Sequence, residues 1–116
     1  MVILTVRDLE VELSLKNWTP KAELETIITG GYAGDMLSWV MGRAKTGCVW
    51  VTIMSNTNVA AVALMADVAC VVLAENVEPD EILLVQAQAK NIPLFTTSLS
   101  SYEFSCRLND LLSNNG

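Results

Sequence analysis

The sequence predicts an α/β fold: a single three-layer domain with a mainly parallel sheet of four to five strands and helices on both faces. Three observations carry this prediction. From residue 25 onward, strand-like and helix-like segments alternate with short connectors, the pattern of βα units around a parallel sheet. The strand-like runs are apolar on both sides rather than alternating, as strands covered on both faces must be. The chain has 116 residues, 52% apolar and 17% charged, which suits one domain with one core and excludes disorder.

Residues 1–24 are expected to form an N-terminal helix and a loop. Val2-Ile3-Leu4-Thr5-Val6 has strand character, but Thr5-x-x-Asp8 is a helix-start signature, and Val6, Leu9 and Leu13 recur at helical spacing. A short helix over Thr5 to Leu13 is therefore preferred, and Asn17 to Lys21, holding Trp18 and Pro20, reads as a loop.

The βα repeats fill residues 25–112. The first strand is expected at about 25–29, followed by a helix at about 34–45 with Met36, Leu37, Val40, Met41 and Ala44 on one stripe. Gly47 ends it. Val49-Trp50-Val51-Thr52-Ile53-Met54 is β-branched and apolar, suited to a central strand. Asn58 to Ala66 follows as a helix whose small residues allow close approach to the sheet. The third strand is Ala69-Cys70-Val71-Val72-Leu73. Pro79-Asp80-Glu81 then opens a helix running to about Lys90, with Asn91 suited to its C-terminal cap. Pro93 introduces the fourth strand, Leu94-Phe95-Thr96. Ser100-Ser101-Tyr102-Glu103 matches the S-x-x-E capping box, Leu99 and Phe104 are placed as a hydrophobic staple, and the final helix carries Phe104, Leu108, Leu111 and Leu112. The tail, residues 113–116, is expected to fray. No repeat or low-complexity tract divides the chain.

Composition excludes several activities. The net charge is −6, histidine is absent, and the seven basic residues are scattered, so nucleic acid and anionic membranes are poor partners. Without histidine there is no Ser-His or Cys-His nucleophile and no His metal ligand, and neither a cofactor nor a metal is expected. Cys48, Cys70 and Cys106 have no CxxC spacing and read as inert buried thiols of a cytoplasmic protein. The first residues are too short an apolar run for a signal peptide, and no run nears membrane-span length.

The candidate site lies where a parallel sheet places its ligands, beyond the carboxyl ends of the strands. Small polar residues are expected there: Thr29, Gly30 and Gly31 after the first strand, Ser55 and Asn56 after the second, and Thr97 after the fourth. A small anionic or hydroxylated ligand suits that edge, but helix capping and turning require the same residue types. The segment ITGGYAGDML, residues 28–37, lacks the Lys and Ser/Thr of a phosphate loop and the full G-x-G-x-x-G of a dinucleotide loop. Asp35 is placed to cap the next helix, so the segment reads chiefly as a turn. Asp35, Asp67, Glu75 and Glu78 show no paired spacing that marks acid–base catalysis. Trp39 and Trp50 are expected in the core, and exposure of Trp39 would instead indicate a protein interface.

Thr29-Gly30-Gly31, followed by Tyr32-Ala33-Gly34-Asp35-Met36-Leu37-Ser38, resembles the signature region of the DRTGG domain family. Val49 to Ile53, Asn58 to Ala69, Glu78-Pro79-Asp80 and the closing Ile92 to Glu103 are similar to that family in the same order. Ile27-Ile28 stand where the family name has Asp-Arg. The resemblance implies an accessory module with a fold like the N-terminal domain of HPr kinase/phosphatase, found free-standing or attached to phosphotransacetylases and CBS-containing pyrophosphatases, and it implies no catalytic residues.

The leading expectation is a non-catalytic regulatory or assembly module that self-associates as a homodimer through an apolar helix or sheet edge, with a protein partner possible. The alternative is a small-ligand sensor, for nucleotides or phosphorylated metabolites, using Thr29, Gly30, Gly31, Ser55, Asn56 and Thr97. A phosphotransferase is disfavoured by the missing His and phosphate-loop Lys.

Overall fold

The structure, a computed structural model, describes residues 3–114. Helix α1 (Val6–Glu12) is followed by strand β1 (Lys16–Asn17), β2 (Gly30–Ala33), α2 (Leu37–Arg43), β3 (Cys48–Thr52) and α3 (Asn58–Ala66). Strand β4 (Cys70–Leu73), α4 (Glu81–Ala89), β5 (Leu94–Thr96) and α5 (Ser101–Asn114) complete the chain. The sheet order is β1-β5-β4-β3-β2, with β2 to β5 mutually parallel and β1 antiparallel to β5. The α/β fold with three layers and a mainly parallel sheet is the one the sequence predicts.

Each βα crossover advances one strand in the same direction, and right-handed crossovers therefore lay α2, α3 and α4 on one face. The alternation of side chains along the strands divides the core accordingly. Trp50, Val71, Leu73 and Leu94 pack with Val40, Val59 and Leu83 of these three helices. Val49, Val51, Val72 and Phe95 pack on the opposite face with Val6 and Leu9 of α1 and Phe104 and Leu108 of α5.

Local signals explain several boundaries. Thr5 and Asp8 form a reciprocal capping box at α1, with the Thr5 N–H donating to Asp8 Oδ2 at 3.0 Å and the Asp8 N–H to Thr5 Oγ1 at 3.2 Å. These bonds hold the Asp8 carboxyl below its ordinary pKa. At α5, Ser100 Oγ accepts the Glu103 N–H at 3.1 Å, and half-buried Leu99 packs against the cluster containing Phe104. Asn91 takes φ 56 beyond α4, as a left-handed C-terminal residue should.

The largest correction concerns the first strand of the βα series. Residues 25–29 do not join the sheet; Ile27 forms an isolated antiparallel bridge with Thr5, the Ile28 N–H donates to Leu4 O, and the Val6 N–H to Thr26 O. The ladder strand is instead Gly30–Ala33, in parallel register from Gly30↔Cys48 to Ala33↔Val51. Glycine is disfavoured in strands, so the pattern pointed to Ile27-Ile28, but packing overrides it here. A Cβ on Gly31 would stand 2.7 Å from Leu108 Cδ2, so α5 packs close at that place and a larger residue would have to displace the Leu108 side chain.

Other differences are smaller. Strand β1 ends at Asn17, the first residue of the segment read as a loop, and is too short to leave a periodic pattern. Helix α2 is shorter than expected, and of its predicted stripe only Val40 is buried, with Met36 and Met41 exposed. Trp50 is buried, whereas Trp39 is exposed and Cys106 lies on the surface of α5. Helix α5 continues to Asn114 through the expected frayed tail, whose last two residues, 115 and 116, lie outside the described residues.

Candidate functional site

Because β2 begins at Gly30, the six predicted site residues do not share one edge. Thr29, Gly30 and Gly31 lie at the amino end of β2, whereas Ser55, Asn56 and Thr97 follow the carboxyl ends of β3 and β5. The expected single pocket is therefore divided between opposite ends of the sheet.

At the carboxyl ends, local bonds take up the predicted polar atoms. Ser55 Oγ donates to Asp80 Oδ1 at 3.0 Å, and the Asp80 N–H returns to Ser55 O, joining the β3–α3 loop to the start of α4. Asn56 Oδ1 accepts the Asn58 N–H at 2.9 Å, and Thr97 Oγ1 accepts the Leu99 N–H at 3.2 Å. Both are turns in which a side chain mimics the backbone. Asp67, Glu75 and Asn76 occupy left-handed turn positions, which accounts for two of the acids singled out in the sequence.

Asp35 does not cap α2. Met36 is the N-cap residue, without a side-chain cap bond, and the Asp35 carboxylate crosses to β3. Its Oδ1 accepts the Thr52 hydroxyl at 2.7 Å and the Ile53 N–H at 2.9 Å, tying the carboxyl ends of β2 and β3. The carboxylate is thus committed to bracing the loop.

A depression of about 410 Å³ opens near the carboxyl end of β5, lined by Thr97 and Ser98 together with Lys16, Arg107, Glu12 and Glu78. Its two cations come from β1 and α5, ninety-one positions apart in sequence, so no local motif announces them. Lys16 Nζ lies 4.2 Å above the Trp18 ring.

A second depression, about 450 Å³, lies beside the amino end of β2 and gathers Thr29, Gly30 and Gly31 with Arg43 and Lys45. Thr29 Oγ1 donates to Thr46 O at 2.8 Å, and the Thr29 N–H donates to Gly47 O at 2.9 Å. Threonine here anchors the loop after α2. Gly47 has φ 81 and would bring a Cβ within 2.9 Å of Thr29, so the turn needs glycine for both conformation and space.

Burial raises the Cys48 and Cys70 thiols above their ordinary pKa, consistent with inert packing. Tyr102 is also raised, first through its hydrogen bond with Cys106. Among the described residues no group of His, Cys, Asp and Glu is arranged to hold a metal ion, and no helix is long and apolar enough to cross a membrane.

Comparison with known proteins gives a family and a fold. The family model described as the DRTGG domain matches residues 6–111. No curated protein matches the sequence. The fold is similar to a crystal structure of the CBS and DRTGG domains of the regulatory region of Clostridium perfringens pyrophosphatase, complexed with its activator, diadenosine tetraphosphate. That similarity has a TM-score of 0.67 at 14% identity, over 90% of this chain and 45% of the other. This chain thus corresponds to less than half of that regulatory region.

Proposed function

The chain belongs to the DRTGG domain family, and on that premise we propose that it is a non-catalytic regulatory or assembly module that self-associates as a dimer. One observation carries the reading: the layer formed by α2, α3 and α4 is nearly free of charge. Arg43 and Glu81 are the only charged residues in those three helices. Solvent instead meets Leu64 and Met65 of α3 and Ile82 and Val85 of α4, with Met65 71% and Ile82 63% exposed. The other layer is ordinary by comparison: α1 exposes Arg7, Asp8 and Glu12, and α5 exposes Glu103, Arg107 and Asp110.

A charge-poor layer of this kind suits an interface, since depletion of charge is what distinguishes an interface core. Helix α3 contacts both α2 and α4, so a two-fold axis passing near it would pair the same patch on both copies. Exposed Trp39 adds to the same side. Sedimentation equilibrium should show a monomer–dimer equilibrium, weakened at least about tenfold by Met65→Glu with Ile82→Glu, because charge at an interface centre is left unpaired. Both positions are exposed in the single chain, so melting of the variant should match the parent at concentrations below the dimer transition. A wild-type monomer at high micromolar concentration would count against the dimer.

A second reading, a small-ligand sensor, draws support from the depression where Thr97 meets Lys16 and Arg107, and from the activator bound by the similar pyrophosphatase region. Lys16 and Arg107 are the groups a nucleotide or phosphorylated metabolite would engage, beside Glu12 and Glu78 in the same lining. Ligand-dependent thermal stabilisation, lost in Lys16→Ala with Arg107→Ala, is the expected result. Silence across a panel of such compounds would remove this reading without touching the dimer.

A further inference from the structure

The two edges of the sheet are managed differently. Strand β1 is two residues long and carries Lys16, a short and charged edge of the kind that resists unwanted pairing. Strand β2 forms the other edge with Gly30-Gly31-Tyr32-Ala33, holding no charge and no proline. Alternate residues of a strand turn their N–H and C=O to the same side, and the Gly34 N–H donates to Val51 O. The peptide groups of Gly31 and Ala33 therefore point off the sheet. Gly31 and Ala33 are exposed.

A different groove borders this edge on each face. Beside α5 it is largely apolar, about 260 Å³, with Leu108 and Leu112 next to Gly31 and Ala33. On the α2 face it is the depression holding Arg43 and Lys45, whose lining contains no carboxylate. The single salt bridge among the described residues joins Arg7 to Glu25, so Arg43 and Lys45 have no acidic partner there. The Arg43 guanidinium is stacked 4.0 Å from the centre of the Trp39 ring. On a chain of net charge −6, two adjacent unpaired cations mark a local departure.

We propose that β2 receives an extended segment of a partner protein in which acidic and apolar residues alternate. The added strand pairs with the outward peptide groups of Gly31 and Ala33. Its apolar side chains enter the groove beside α5, and its carboxylates reach Arg43 and Lys45, because successive side chains of a strand face opposite ways. A second copy of this chain is the poorer occupant. Isologous pairing of two β2 edges is antiparallel about an axis normal to the sheet, which keeps like faces together and offers each basic groove an uncharged Gly-Gly-Tyr-Ala strand with no carboxylate. The chain's own alternations are also in use: Glu10-Val11-Glu12 belongs to α1, and Leu24 of Glu23-Leu24-Glu25 is buried. The β2 edge is separate from the exposed Leu64, Met65, Ile82 and Val85 of α3 and α4 that carry the dimer, while Arg43 and Trp39 of α2 border both, so the inference rests on the edge and not on the dimer.

Fluorescence anisotropy with labelled nine-residue synthetic peptides tests it on the whole chain. An alternating Val/Glu peptide should bind saturably, and Arg43→Glu with Lys45→Glu should weaken it at least about tenfold. N-methylation of alternate peptide nitrogens on the pairing side should abolish binding, while inorganic phosphate should compete only as strongly as its ionic strength explains. An alternating Val/Lys peptide that binds equally well, or no binding up to roughly 1 mM, would overturn the proposal. Full competition by phosphate, with the N-methylated peptide still bound, would also overturn it by identifying a small-anion site.

Discussion

Trp50→Ala is expected to destabilise the domain by about 3–5 kcal/mol, the range for removing a fully buried aromatic ring. Trp50 is 0% exposed at the centre of β3 and packs among Val40, Val59 and Val71, side chains drawn from two helices and a neighbouring strand. Its indole N–H donates to Gly34 O at 2.9 Å, so the ring also holds the loop after β2. Truncation leaves a cavity and an unpaired carbonyl together. A domain with total stability of about 5–15 kcal/mol tolerates such a loss narrowly. Urea unfolding followed by far-ultraviolet circular dichroism should show the loss, with Trp50→Phe milder because it keeps most of the volume. Trp39→Ala, at a site 53% exposed, should cost less than about 1 kcal/mol.

Asp35→Ala is expected to cost about 1–2 kcal/mol, the range for charge-assisted hydrogen bonds discounted for the exposed position. The carboxylate takes the Thr52 hydroxyl and the Ile53 N–H, and Thr52 is fully buried, so its hydroxyl loses an acceptor that water reaches poorly. Asp35→Asn keeps one oxygen in place and should lose less than half as much. The two variants separate bracing by hydrogen bonds from a charge effect: equal losses in both would show that the negative charge matters more than the acceptor geometry. Urea midpoints at constant slope provide the measurement.

The features legible in the sequence were those with local causes. Asn58 to Ala66 and Leu94 to Thr96 lie where the sequence places them, and Cys48 to Thr52 within two residues of the expected Val49 to Met54, because β-branched runs, small-residue periodicity and a flanking proline each act locally. The capping residues Thr5 and Ser100 acted in the same way. The errors came from long-range packing. Gly30 and Gly31 belong to a strand through their ladder with Cys48 and Val49, and α5, some seventy-five positions later, packs Leu108 against the second of them. Trp39 and Trp50 sit in similarly apolar surroundings in sequence, but α2 turns Val40 inward and leaves Trp39 on its outer side, where Arg43 stacks on it. The candidate site suffered for the same reason. Displacing the first parallel strand by a few residues moved Thr29, Gly30 and Gly31 to the opposite end of the sheet from Thr97. Lys16 and Arg107 carry no signal in sequence because tertiary structure alone groups them, whereas Arg43 and Lys45 are sequence neighbours whose meeting with the β2 edge only the fold reveals.

Dimerisation through the α2–α4 layer is tested most directly at the Met65 methyl group, 71% exposed in the single chain. With methionine methyls labelled, relaxation by a soluble paramagnetic agent should fall for Met65 as protein concentration rises through the dimer transition. The Tyr102 ring, on the opposite layer, should keep its accessibility throughout. Concentration-independent exposure of Met65 alongside unchanged Tyr102 would contradict a dimer through this face.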